Sequence, residues 1–134
     1  MMRKLATTAM LAMAASSLIW TQPVFSAAAP AVVRKVLMQQ DVPNGAQLAV
    51  VSVEIPVGGR EGRHTHTGPL IVYVQEGALT LDYEGKPTVT YKVGETFFVE
   101  AGKIHEGINN GTVPIKALAS FVTPKGAPLT TQVP

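Results

Sequence analysis

The sequence predicts an all-β protein with a single folded domain. From Val32 onward, no segment repeats its apolar residues at the spacing of an amphipathic helix. Short runs rich in β-branched residues recur instead, and Gly, Pro and Asn separate them. A strand every eight to twelve residues or so is typical of an antiparallel sandwich or a small barrel.

The strands follow from these runs and from the turns between them. In chain order they are VVRKVLMQ, QLAVVSVEIPV, LIVYVQ, ALTLDY, TVTYKV, FFVEA, IHEGIN and VPIKALASFVTP. The four-residue turn EGKP, centred on Gly85, predicts a hairpin of ALTLDY and TVTYKV. LIVYV is apolar on both faces, so we expect a central strand that is covered on both sides. We expect the tail KGAPLTTQVP to lie along the surface, because it has two prolines and few large apolar groups.

The first 28 residues have the layout of a secretory signal peptide. A basic pair at 3–4 precedes an apolar run over 5–20, and small residues follow up to Ala28. Thr and Ser interrupt the run, which is shorter than the roughly 20 apolar residues of a membrane span. We therefore expect a cleaved leader, 1–28, a mature domain, 29–134, and no stable membrane anchor. This layout predicts a periplasmic or secreted bacterial protein.

The charge of the mature domain excludes some partners. The whole chain has eleven Lys and Arg against nine Asp and Glu, but Arg3 and Lys4 belong to the leader. Nine basic and nine acidic residues remain, interspersed along the chain. Nucleic acids and anionic membranes need a basic patch, so neither is expected as a partner. The absence of cysteine from the sequence excludes a disulfide framework and a cysteine nucleophile.

The stretch GRHTHTGPL contains two of the three histidines. Residues i and i+2 of a strand point to the same face, so the rings of His64 and His66 lie side by side. His105 is far along the chain and joins them only if a neighbouring strand brings it across. Three neutral imidazoles would bind a divalent transition metal. A His-x-His pair alone is weak evidence, since most histidines are surface or satisfied core residues.

The glycine pattern around the histidines resembles the two motifs of the cupin superfamily. The segment 58–77, with its Gly, five intervening residues and HTH, is similar to the first motif. GETFFVEAGKIHEGIN, 94–109, is similar to the second. The resemblance implies a small exported single-domain type-2 cupin with a jelly-roll β-barrel. It also implies that His64, His66 and His105 are ligands of one divalent metal.

One ligand position departs from the family pattern. The glutamate that the resemblance implies as a fourth ligand falls on Leu70. Three neutral imidazoles would leave the double charge of the ion uncompensated, and coordination positions open to water, substrate or oxygen. Glu61 and Glu106 could supply a carboxylate, but we expect both to be solvated surface charges. As the strand neighbour of His105, Glu106 should point to the opposite face.

Two functions remain open at this point. The first is a metal-dependent enzyme that acts on a small organic molecule. Cupin-like dioxygenases acting on thiols and β-diketones resemble this arrangement and hold Fe²⁺ with three His. Fe²⁺ is therefore the first metal expected, before Mn²⁺, Zn²⁺, Ni²⁺ and Cu²⁺, and oxygenation comes before isomerisation, lyase or decarboxylation chemistry. The second function is a non-catalytic cupin that binds a sugar or another small ligand.

Further residues are candidates for substrate contacts. Arg60 and Arg63 flank the metal strand and could clamp an anionic group such as a carboxylate. Phe97 is a candidate for the pocket wall. The other aromatic residues expected in the core and wall are Phe98, Phe121, Tyr73 and Tyr91. The resemblance also implies a homodimer, for which VVRKVLMQ is a plausible edge partner.

Overall fold

The computed structural model describes Ala28 and residues 30–134, which form ten strands and no helix. The all-β prediction is confirmed. In this part of the chain there is accordingly no helix that could cross a membrane. The predicted leader, 1–28, lies outside the described residues except for Ala28. The strands are β1 (Val33–Val42), β2 (Ala46–Ile55), β3 (His64–Thr65), β4 (Leu70–Glu76), β5 (Ala78–Tyr83), β6 (Val89–Lys92), β7 (Thr96–Val99), β8 (His105–Ile108), β9 (Ile115–Pro124) and β10 (Thr131–Gln132).

The strands form two antiparallel sheets that share one core. One sheet has the order β1-β2-β9-β4-β7, and the other has the order β10-β3-β8-β5-β6. In β2 and β9 the buried residues alternate with more exposed ones, as expected for strands with a single core-facing side. The fully buried aliphatic side chains at the centre are Ile55, Val74, Val99 and Ile115.

The turns support the strand pairs that the sequence predicts. Residues 84–88 connect β5 to β6, which pair from Ala78↔Lys92 to Leu81↔Val89, so the predicted hairpin is confirmed. Between β1 and β2, Asn44 and Gly45 both adopt positive φ. Asn and Gly tolerate this conformation better than other residues.

The prediction that the run LIVYV, which forms part of β4, is covered on both faces is wrong. It lies inside its sheet, between β9 and β7, but only one of its faces is covered within the described chain. Ile71 is 52% exposed and Tyr73 is 42% exposed. Phe98 on β7 is also exposed, at 54%, so it is not part of the core. The apolar run therefore reflects an interior place in the sheet and not coverage of both faces.

Two glycines allow the backbone to approach β9, or the residue just before it, closely. At Gly68 a Cβ would lie 1.8 Å from the carbonyl oxygen of Val122 on β9. At Gly77, where φ is +76°, a Cβ would lie 2.8 Å from the oxygen of Pro114. A side chain at Gly68 would push the chain that follows His66 away from β9, and one at Gly77 would push the connection between β4 and β5 away from the start of β9.

The two ends of the described chain form sheet edges. The tail was expected only to lie along the surface, but it contributes β10, which pairs with β3 through Thr131↔Thr65 and Gln132↔His64. Its backbone thus reaches the strand that carries the histidines. At the edge of the other sheet, β1 exposes Val36 and Leu37. The pairing of two chains through β1 stays a prediction.

Candidate metal centre

Strand register brings the three histidines together. His64 on β3 lies directly opposite His105 on β8, and residues directly opposite share a face. His66 follows two residues after His64 and completes the group. The ring centroids are 4.4 to 4.9 Å apart, and each side chain offers a nitrogen within 4.8 Å of the others. All three residues are buried, with at most 5% of their surface exposed.

Each imidazole is anchored through its Nδ1 atom to a backbone carbonyl. Nδ1 of His64 lies 2.7 Å from the oxygen of Gly62, and Nδ1 of His105 lies 2.9 Å from that of Lys103. Nδ1 of His66 lies 2.6 Å from the oxygen of Leu129, in the tail. Because a carbonyl only accepts hydrogen bonds, the proton of each neutral ring is on Nδ1. Each Nε2 therefore presents a lone pair.

The Nε2 atoms of His66 and His105 face each other at 3.2 Å. With both protons on Nδ1, neither Nε2 can donate to the other, so two lone pairs meet in a buried site. A cation that both nitrogens coordinate removes this repulsion. Metal–nitrogen bonds of about 2.0–2.1 Å place neighbouring imidazole nitrogens about 2.8–3.0 Å apart in octahedral geometry and about 3.3–3.4 Å apart in tetrahedral geometry. The observed separation fits a metal held by these residues.

Burial keeps His66 and His105 in the neutral form that binds a metal. It lowers the pKa of His66 to about 4 and outweighs the hydrogen bond to Leu129, which raises this pKa, while the charges of His64, His105 and Arg34 lower it further. Burial also lowers the pKa of His105. Both rings are therefore neutral near pH 7, where protons would not compete with an ion.

The metal-free chain is expected to lose stability as the pH falls from about 6.5 toward 4. The folded chain resists protonation of His66 down to a pKa of about 4, whereas the unfolded chain takes up the proton near pH 6.5. The unfolded state binds more protons within this window, so the free energy of unfolding decreases with falling pH. The loss for His66 is up to about 3 kcal/mol.

Urea unfolding of chelator-treated protein across this pH window measures the loss. His66→Gln is the matched control, because the carboxylates titrate equally in both proteins. The free energy of unfolding of His66→Gln should change less with pH than that of the wild type. Equal slopes for the two proteins would contradict the assignment of a buried neutral imidazole.

A small cavity lies directly beside the three rings. Its free volume is about 30 Å³, more than the about 10–15 Å³ that one water requires. Leu70, at the position of the missing fourth ligand, lines this cavity, and so does Phe97. Phe121 packs edge-on against His66, with centroids 5.0 Å apart. The other lining residues are Arg34, Val53, Glu61, Val72, Leu79, Leu81, Ala117 and Ala119.

The two glutamates differ from the solvated surface charges that the sequence predicts. Glu106 is only 4% exposed and pairs with Arg60, on the far side of β8 from His105. The side chain of Glu61 is 13% exposed and lines the cavity. A nearby basic group compensates each carboxylate, which explains how a buried charge is tolerated. Neither carboxylate belongs to the cluster of potential ligand atoms, which among the described residues is formed by histidines alone.

The basic residue at the cavity is Arg34, which the sequence did not single out. Arg60 pairs with Glu106, and Arg63 lies 3.7 to 3.8 Å from the carboxylates of Asp82 and Glu84. Neither arginine lines the cavity. The sequence pointed to these two because they flank the histidines along the chain.

A β-bulge brings Arg34 to the cavity. A regular hairpin counted from the β1–β2 turn would place Arg34 opposite the exposed Glu54. The register shifts by one residue between Met38 and Val36. Arg34 therefore lies opposite Val53, which is buried in the cavity wall. Bulges often re-aim a side chain next to a functional site. Two-residue alternation alone could not have identified this residue.

Comparison with known proteins gives a family and a set of similar folds. Residues 51–122 match the cupin domain family. Germin-like protein subfamily 2 member 2 of Arabidopsis thaliana is 31% identical over 83 residues, which are 58% of this chain and 38% of that protein. The chain thus matches well under half the length of this curated relative.

Solved structures share the architecture at low sequence identity. The DMSP lyase DddQ from Ruegeria pomeroyi superposes with a TM-score of 0.66 at 20% identity, over 76% of this chain and 51% of that chain. An oxalate oxidase in complex with the substrate analogue glycolate gives a TM-score of 0.58 at 22% identity, over 69% and 57%. At this identity the likeness shows the fold alone.

Proposed function

Because this chain belongs to the cupin domain family, we propose that it is a metal-dependent enzyme acting on a small organic molecule. The ion is held by His64, His66 and His105. Fe²⁺ is the first candidate, and the reaction is an oxygenation. When bound, the ion supplies Lewis acidity and, in the case of iron, a redox centre for dioxygen.

One observation carries the proposal. Three buried imidazoles bring their potential ligand nitrogens within 4.8 Å of one another, and a backbone carbonyl lies within hydrogen-bond distance of Nδ1 of each ring. Such partners fix the tautomer and the ring orientation of metal ligands. A structural core would not gain from the facing Nε2 atoms of His66 and His105, because two lone pairs that meet in a buried site repel each other.

The cavity wall determines what enters beside the ion. Leu70, Val72 and Phe97 make part of the wall apolar. No carboxylate of the described chain is part of the ligand cluster. An ion held there would therefore keep its full double charge in a small, largely buried site, where electrostatic interactions are stronger than in bulk water.

Oxygenation is one of several reactions that this arrangement supports. Three protein ligands leave positions for both a substrate and dioxygen. The similar folds include a lyase, so elimination or decarboxylation without oxygen is the alternative within the same proposal. Oxygen consumption separates these reactions.

The function is tested by reconstituting the chain with Fe²⁺, Mn²⁺, Zn²⁺, Ni²⁺ or Cu²⁺ and supplying small β-diketones, thiols, flavonoids and carboxylates. We expect oxygen uptake with stoichiometric substrate loss in the iron form. His105→Gln should abolish both, because it removes one ligand. Oxygen uptake is followed with an electrode and substrate loss by chromatography.

Two results contradict the oxygenase. Substrate loss without oxygen uptake would assign the site to lyase or decarboxylase chemistry. A ligand-induced rise of the melting temperature without turnover in any metal form would make the chain a non-catalytic binder.

A further inference from the structure

The cavity beside the three histidines contains one permanent positive charge. Arg34 is the only Lys or Arg among the lining residues of the described chain. Its side chain is 34% exposed, so the guanidinium lies where the cavity opens. Its partner in the ladder, Val53, is buried in the wall of the same cavity. Arg34 thus lies between the solvent and the interior of the cavity.

Glu61 fixes the position of this guanidinium. Nη2 of Arg34 donates a hydrogen bond of 3.0 Å to Oε1 of Glu61. The other oxygen, Oε2, accepts a hydrogen bond of 3.0 Å from the backbone N–H of Gly107 on β8. A Cβ at Gly107 would lie 2.6 Å from Oε2, so a larger residue there would displace the carboxylate. With both oxygens engaged, Glu61 acts as a positioning residue for Arg34.

The charge balance of the site favours an anion. Arg34 and Glu61 cancel, and the cluster of potential ligands among the described residues contains histidines and no carboxylate, so an ion would retain its two positive charges. A guanidinium has five N–H donors, and within the described chain Glu61 accepts from one of them. A carboxylate that binds the ion can therefore also receive hydrogen bonds from Arg34, and such charge-assisted bonds are strong.

We propose that Arg34 is the residue that selects small organic carboxylates, by binding the carboxylate of the substrate at the mouth of the metal cavity. This inference rests on the proposed function and names its substrate class. The free volume of about 30 Å³ restricts the buried part of the ligand to a few atoms. The apolar wall suits a short hydrocarbon chain next to the carboxylate.

The test compares propionate with propionamide, which has nearly the same shape and no charge. The chain is loaded with Co²⁺, and the absorption bands of the bound Co²⁺ report ligands that enter the metal environment. Affinities are measured for the wild type, Arg34→Met, and the double variant Arg34→Met/Glu61→Gln. The double variant removes the carboxylate that Arg34→Met would leave unpaired. Lys35→Met is the matched control, because it removes the same charge from the next residue of β1.

We expect both Arg34 variants to bind propionate about ten- to hundredfold more weakly than the wild type, as for a lost charge-assisted hydrogen bond. The affinity for propionamide should stay within about twofold, and Lys35→Met should behave as the wild type. Propionate binding that is equal in all four proteins, or absent from the wild type, would overturn the inference and leave the metal site intact. Failure of the wild type to bind Co²⁺ would instead overturn the proposed function, and with it the role of Arg34.

Discussion

Replacing His66 with glutamine is expected to reduce the bound metal from about one ion per chain to almost none. His66 supplies one of three ligand nitrogens, and its Nε2 lies 3.2 Å from that of His105. Loss of an outer partner of a metal ligand already costs about 10- to 100-fold in affinity, and loss of the ligand itself should cost more. The metal content is measured by elemental analysis after dialysis against a weak chelator.

The same variant should lose the stabilisation that a metal gives. An ion that binds only the folded state raises the melting temperature in proportion to the logarithm of its concentration. The wild type should melt lower after treatment with a strong chelator, and His66→Gln should melt at the same temperature with and without it. Thr67→Ala is the control, because this neighbouring side chain is exposed and donates only to Pro128. Equal metal contents in wild type and His66→Gln would exclude His66 as a ligand.

Replacing Leu70 with glutamate is expected to lower the stability of the metal-free chain and to tighten the binding of the metal. Leu70 is 4% exposed and lines the cavity beside the histidines. Without an ion, a carboxylate there has no charge partner among the ligands, and the free energy of unfolding should fall by several kcal/mol. With an ion, the carboxylate becomes a fourth ligand that neutralises part of its charge.

The measurement compares Leu70→Glu with Leu70→Gln, which has the same shape without the charge. Metal loss to a chelator should be at least about tenfold slower in the glutamate variant than in the glutamine variant. Urea unfolding of the metal-free proteins should show the larger loss of stability for glutamate. Equal rates of metal loss would mean that the side chain at position 70 does not face the ion.

The fold class and the pairing of His64 with His66 on one face were accessible from the sequence because both follow from local rules. Alternating apolar residues and Gly-rich turns define the strands, and the i, i+2 rule places His64 beside His66. The place of His105 depends on which strands become neighbours. Composition does not reveal this, and only the resemblance to cupins indicated it before the register of β3 and β8 was known.

The surroundings of the site could not be predicted from the sequence, because they depend on contacts and irregularities that local patterns do not encode. The tail contains no large apolar face, so nothing indicated that the Leu129 carbonyl would anchor His66. A bulge in β1 reverses the face of Arg34, and alternation rules assume that no bulge is present. The burial of Glu106 depends on its pairing with Arg60, 46 residues earlier in the chain. Each of these features arises from a long-range contact.

X-ray absorption spectroscopy of the metal-loaded chain tests the central claim most directly, since it counts the imidazoles around the ion. The arrangement of His64, His66 and His105 predicts three nitrogen ligands at about 2.0–2.2 Å, with the scattering pattern of three imidazole rings. Each His→Gln variant should retain at most two such rings. A first shell made of oxygen, or one with fewer than three imidazoles in the wild type, would contradict the account.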